Sequence, residues 1–135
     1  MVITESKEAL RELLVNSFPD VDIAIENIQY EPDSDIYMAV QFVVHPPIDP
    51  TYGPYYYREN ISFHVFVTDS LGVGTVAAEN LAEQVRQKFY KGLTIVKGSY
   101  RLQILRTPHI SGSTITSDRL VIPVMIPVQV EVYKS

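Results

Sequence analysis

The chain contains no cysteine, which excludes disulfides and thiolate metal sites and suits a reducing compartment. A long apolar run is missing as well. The longest, "LVIPVMIPVQV", is too short to span a membrane and carries two prolines. Met1 is followed by Thr4, Glu5 and Lys7 without the apolar stretch of a signal peptide, so the chain is expected to stay in the cytoplasm where it is made. Without secretion the glycosylation sequon Asn60-Ile61-Ser62 has no meaning. Positive charge is scarce: 11 Lys and Arg against 16 Asp and Glu give a net charge of -5. That balance argues against a tight, sequence-independent grip on nucleic acid, which draws on clustered cations.

What is present is ordinary globular material. The 135 residues are 46% apolar and 20% charged, without low-complexity stretches. This is the length of one domain, 1–135, able to bury roughly two-thirds of its unfolded surface in a single core.

The hydrophobic period changes along the chain in a readable order. Leu10, Leu13, Leu14 and Phe18 recur at helical spacing, with Glu5 and Glu8 near the start, where the helix dipole favours acids, and Pro19 as the stop. "DIAIENIQY" reads as a short strand and "PDSD" as a turn. Ile36, Met38, Val40, Phe42 and Val44 then alternate with their neighbours as one buried strand face. "HPPIDPTYGPYYYREN", with its prolines and glycine, is expected to be a long loop over residues 45–60. Ile61, Phe63, Val65 and Val67 alternate again, and from Val73 a helix is expected through Ala77, Leu81, Val85 and Phe89. Lys88, Lys91 and Gly92 supply its closing cations and a left-handed cap. "SYRLQILRT" is a strand, "PHISGSTITSDR" a polar loop, and the stretch from Leu120 the longest strand.

In that last strand Leu120, Ile122, Val124, Ile126, Val128, Val130 and Val132 share one face. Pro123 and Pro127 remove two donors from the same side, which predicts a sheet edge or a bulged stretch. The order α-β-β-β-α-β-β, with mostly hairpin or loop connections, predicts an α+β protein: a mainly antiparallel mixed sheet with two helices packed on one face.

Several motifs offer candidate chemistry. Gly72-x-Gly74-x-x-Ala77 has the spacing of a dinucleotide loop. Such a loop follows the first strand of a parallel sheet and needs an acid about 20 residues on, where this chain reads "GLTIVKGSY". A tight strand-to-helix turn with positive φ explains the glycines better. His45, His64 and His109 lie on separate segments without metal-ligand spacing, His64 on the less apolar side of its strand. Glu31, Asp33 and Asp35 lack the calcium-loop pattern. The serines of "SGSTITS" have no nucleophile-elbow sequence. Pro47-x-x-Pro50 reads as loop stiffening, and Arg101 and Arg106 as surface charge rather than a phosphate site. No catalytic, cofactor or metal residue is assigned. Tyr52, Tyr55, Tyr56 and Tyr57 are different: crowded into one Pro-rich stretch, they either fold back over the sheet or form a protein contact, and they are the interface candidates.

The segments "IAIENIQYEP", "ISFHVFVTDSLGVGTVAAENLAEQVRQKF", "YRLQILRTP" and "RLVIPVMIPVQV", in that order, resemble the tail-terminator or tail-completion proteins of long-tailed phages and related prophage families. The shared pattern is a short "EN" segment, a strand, Gly turn and amphipathic helix ending at Phe89, and the pair Ile126-Pro127 in the last strand. The Tyr-rich stretch has no counterpart in it. The resemblance implies a non-enzymatic ring, usually a hexamer, that caps the tail tube, ends its polymerisation and offers a surface for head joining. Its partners would be further copies of itself, the tail tube protein and head-tail connector proteins. DNA would pass through without specific binding, with no membrane, no cofactor and no metal involved. The protein would reside in the virion tail after synthesis in the host bacterial cytoplasm. Two other classes stay open: a head-neck connector or tube subunit, and a small-ligand domain or enzyme built on the Gly72-Gly74 turn.

Overall fold

The computed structural model describes residues 2–24, 36–49, 56–70, 74–97, 100–116 and 119–133. Helix α1 (Val2–Ser17) is followed by β1 (Asp22–Ala24), β2 (Tyr37–Ile48) and β3 (Tyr56–Ser70). Helix α2 (Val76–Lys88) leads into β4 (Thr94–Lys97), β5 (Tyr100–Ile104), β6 (His109–Ile110), β7 (Thr114–Thr116) and β8 (Arg119–Tyr133). The strands form one sheet in the order β1-β2-β3-β8-β5-β4, with β6 and β7 also paired to β8. Every pairing is antiparallel except β1 with β2. The α+β class and the order of helices and long strands follow the sequence pattern. The late strands do not: β4 was not anticipated, and β6 and β7 lie in what reads as a polar loop.

One face of the sheet is apolar and carries both helices. Met38, Val40 and Phe42 of β2, Ile61 to Val67 at alternate positions of β3, and the even residues Leu120 to Val132 of β8 are buried there. From α1 come Ala9, Leu10, Leu14 and Phe18; from α2, Ala78, Leu81, Ala82 and Val85, with Phe89 just beyond. Ala78, not Ala77, takes the inward place, because steps of three and four must mix to follow about 3.6 residues per turn. Three rings lock helix to sheet: Phe63 stacks on Phe42 at 4.8 Å and meets the edge of Phe89 at 5.6 Å. The Lys7 ammonium of α1 sits 5.3 Å from the Phe42 ring centroid, so its charge gains from the π face while its stem covers the core. No helix among the described residues is long and apolar enough to cross a membrane.

The glycine turn is a backbone device. Gly74 adopts φ 81, and no heavy atom lies within 4 Å of the position a Cβ would take. The left-handed angle, not a close neighbour, therefore calls for glycine. Gly72 lies outside the described residues. Helix α2 connects β3 to β4, and the antiparallel chain β3-β8-β5-β4 makes those two strands run in opposite directions. A parallel strand-helix-strand unit, which a dinucleotide loop requires, is not formed there. Gly92 takes φ 93 beyond the helix end, the left-handed conformation expected of it.

Two expectations about prolines need correction. The last strand is central, not an edge: β8 pairs along its length with β3 and, on its other flank, with β5, β6 and β7. That second flank is discontinuous. β5 ends opposite Val128 and β6 starts opposite Met125, so Pro127 faces the gap between them; β6 ends opposite Val124 and β7 starts opposite Val121, so Pro123 faces the next gap. The Ser111 N–H donates to the Pro123 carbonyl at 2.9 Å, which puts the donorless side of Pro123 on this flank. Residues two apart in an antiparallel strand aim their polar groups alike, so Pro127 does the same. The prolines do spare one side of the strand. They spare it by interrupting a neighbour rather than by removing it.

The second correction concerns residues 45–60. His45 to Ile48 continue β2, and Tyr56 to Asn60 begin β3. Pro46 and Pro47 fall where the register slips between His45↔Asn60 and Ile48↔Arg58, a bulge that tolerates missing donors. β1 covers β2 only over Tyr37–Ala39, so these prolines interrupt no ladder on the outer side among the described residues.

Candidate functional site

Alternation along β2, β3 and β8 sends one set of side chains to the helices and the other to the opposite face, where no described helix packs. Register sorts that second set into rows. Arg58, Glu131 and Arg101 stand side by side across β3, β8 and β5, followed by His45, Asn60, Gln129 and Gln103. Val43, Ser62 and Pro127 come next, then Gln41, His64, Met125 and His109, then Ala39, Phe66 and Pro123. Tyr37, Thr68, Val121 and Thr114 lie beyond, and Arg119 leans over the Tyr37 ring at 5.0 Å.

The face has a definite chemistry. Arg58, Arg101, Arg106 and Arg119 belong to it, leaving Arg11 on α1 and Arg86 on α2, where Arg86 pairs with Glu83. All three histidines of the chain reach it. Among the described strand residues placed on this face by register, the carboxylates are Asp22, beside Tyr37 at the outer edge, and Glu131. A protein of net charge -5 thus gathers its arginines on one side of its sheet, interleaved with Phe66, Met125 and two prolines. Arginine and half-buried apolar side chains are the composition of a protein contact surface.

Two hollows mark the broken flank. A cavity of about 280 Å³ opens beside Pro127 and is lined by Ser62, His64, Arg106, Thr107, His109, Met125 and Ile126. A second, of about 450 Å³, lies beside Pro123 between Tyr37, Phe66, Thr114 and Arg119. His45 Nε2 and the Ser62 hydroxyl share a hydrogen bond of 2.8 Å at the edge of the first. Burial holds the His64 imidazole below its ordinary pKa, and the nearby His45 adds to the effect. Among the described residues no three His, Asp or Glu side chains come together as metal ligands would.

The four tyrosines expected at an interface divide. Tyr52 and Tyr55 lie outside the described residues. Tyr56 opens β3 opposite Tyr133, and Tyr57 stands opposite Val132 on the helix side, half-buried against the core. Burial raises the Tyr57 hydroxyl pKa, with smaller contributions from Glu59 and Tyr100. These two are strand residues, not loop residues. Glu31, Asp33, Asp35 and Pro50 lie outside the described residues, while Thr114 to Thr116 of the serine-rich stretch form β7. Sequence reading missed the convergence of His45, His64, His109 and Arg106. The parity of His64 was visible, but its neighbours depend on register across three other segments.

Fold and face together define a two-layer α+β protein whose polar chemistry is spread over a sheet surface. Residues 6–128 match the family model described as phage tail terminator protein, and the chain belongs to that family. It is accordingly a structural protein of the phage tail. A solved structure 18% identical in sequence superposes with a TM-score of 0.72, covering 96% of this chain and 98% of its own; at that identity the likeness shows the fold alone. A search of curated proteins gave no match.

Proposed function

We propose that the protein closes into a ring, a hexamer as is usual in its family, that caps the finished tail tube, ends its polymerisation and presents a surface for head joining. The observation that carries this reading is the family match over residues 6–128. Its partners are other copies of itself, the tube protein and the head-tail connectors, and it is made in the host bacterial cytoplasm. DNA passes through without specific binding. The net charge of -5 supports that role, since an acidic lumen repels phosphate where a basic one would retain it. It follows that the arginine-rich sheet face belongs in subunit contacts rather than in the lumen. A ring of identical subunits is held by heterologous contacts, in which one patch meets a different patch on the next copy.

The test is electron microscopy of the purified protein, alone and mixed with tail tubes. Closed rings seated at tube ends support the reading. Long tubes built from this protein would make it a tube subunit instead, and rings bound only to heads would make it a neck connector.

A further inference from the structure

We propose that the cavity beside Pro127 is an oxyanion site that receives a carboxylate from a neighbouring copy of this chain. The inference rests on the ring reading above and names the contact that closes the ring.

The cavity exists because of sequence. Pro127 has no N–H to offer its flank, so β5 stops at Ile104 and the chain leaves the sheet until His109. Arg106 and Thr107, carried on that excursion, line the hollow with Ser62 and His64 of β3 and His109 of β6, over a floor of Met125, Ile126 and Pro127. The polar side chains that line it are a guanidinium, two imidazoles and two hydroxyls. No carboxylate lines it. A guanidinium beside hydroxyl and imidazole donors matches a carboxylate's two oxygens, with the fork of arginine setting the geometry.

The charged and titratable groups that share this face are Asp22 from β1, Tyr37 and His45 from β2, Arg58 and His64 from β3, Arg101 from β5, His109 from β6, Arg106 from the connection, and Arg119 and Glu131 from β8. Glu131 stands between Arg58 and Arg101 at the far end. The occupant is a second copy for reasons of charge. The chain has 16 acidic side chains against 11 basic ones, and Glu8, Glu12 and Glu79 are exposed on the helices. A hollow with one permanent cation does not follow a phosphate backbone, whose binding proteins line up many. An incoming carboxylate favours the protonated form of His64, which burial disfavours in the free protein, so the contact tightens as pH falls below the ordinary histidine range and weakens again only as the carboxylate itself takes up a proton, below about pH 4.

Two measurements on the full chain test this. Light scattering across a dilution series at about pH 6 should show R106Q dissociating at a concentration about tenfold or more higher than the parent protein, as expected for losing a charged hydrogen-bond partner. The subunit's melting temperature should stay the same, because Arg106 is exposed. In dilute, dissociated protein, sodium acetate should shift the His64 and His109 imidazole NMR signals saturably, and R106Q should abolish the shift. Equal assembly of the parent, R106Q and H64Q/H109Q would overturn the proposal. So would saturable imidazole shifts with short duplex DNA but none with acetate. If the parent forms no ring under any condition, the ring reading fails, and the acetate titration still decides whether the hollow binds a carboxylate.

Discussion

The Ser111 N–H and the Pro123 carbonyl meet at 2.9 Å across the sheet, and that bond fixes which flank of β8 lacks donors. The even residues Ile122, Val124 and Ile126 therefore aim their amides at β3, an unbroken partner strand of 15 residues. Met125 aims at β6, a strand of two residues. Hydrogen exchange should find the Val124 and Ile126 amides opening only with global unfolding and the Met125 amide opening locally and faster. Equal protection at all three positions would mean that β6 is as firmly held as β3.

Phe63 is the keystone of helix-to-sheet packing, fully buried between Phe42 and Phe89. Phe63→Ala should cost about 3–5 kcal/mol, measured by urea unfolding, through lost burial and a cavity that α2 cannot collapse to fill. Phe63→Leu should cost clearly less.

At Gly74 the penalty for a side chain comes from the backbone alone, since φ is 81 and the space is open. Gly74→Ala and Gly74→Val should each lower stability by about 1–3 kcal/mol in thermal or urea unfolding. Gly74→Asn should lose less than either, because Asn tolerates the left-handed region. A crowded turn would instead penalise Asn more than Ala.

Burial depresses the His64 pKa from its ordinary 6.5. A histidine with a lowered folded pKa contributes stability that is present above 6.5 and is lost as pH falls toward the folded value, because the unfolded chain then binds more protons. Urea midpoints of the dissociated subunit should fall between about pH 8 and about pH 5.5, and H64Q should flatten part of that slope. An unchanged slope in H64Q would assign the fall to other groups.

Tyr57 packs half-buried on the core side of β3. Tyr57→Ser should reduce stability by about 1–3 kcal/mol in urea unfolding, while Tyr57→Phe, which keeps the ring, should cost less. A neutral Tyr57→Ser would return this residue to the set of free surface contacts.

Local repetition in the sequence determined the helices at Leu10, Leu14 and Phe18 and at Leu81, Val85 and Phe89, and the buried faces of the three long strands, except that Val44 at the end of its series is exposed because the helices do not reach that far along β2. Those patterns depend only on the 3.6 and 2 residue periods of helix and strand, so a chain reading suffices. The glycine at Gly74 was legible for the same reason: a turn is a property of neighbouring residues. Proline was legible only in part. Pro123 and Pro127 announced a side without donors, but whether that side meets solvent or an interrupted neighbour depends on where residues 105–113 run. Pro46 and Pro47 read as loop because the sequence shows missing donors, whereas a bulge on a strand covered on one side absorbs them. The candidate site was least legible of all. His45, Ser62, Arg106 and His109 come from four segments, and a shift of one residue in any pairing would turn a strand-borne member to the helices. Tertiary register, set by how the apolar faces of β2, β3 and β8 align beneath the helices, decided that they share one surface.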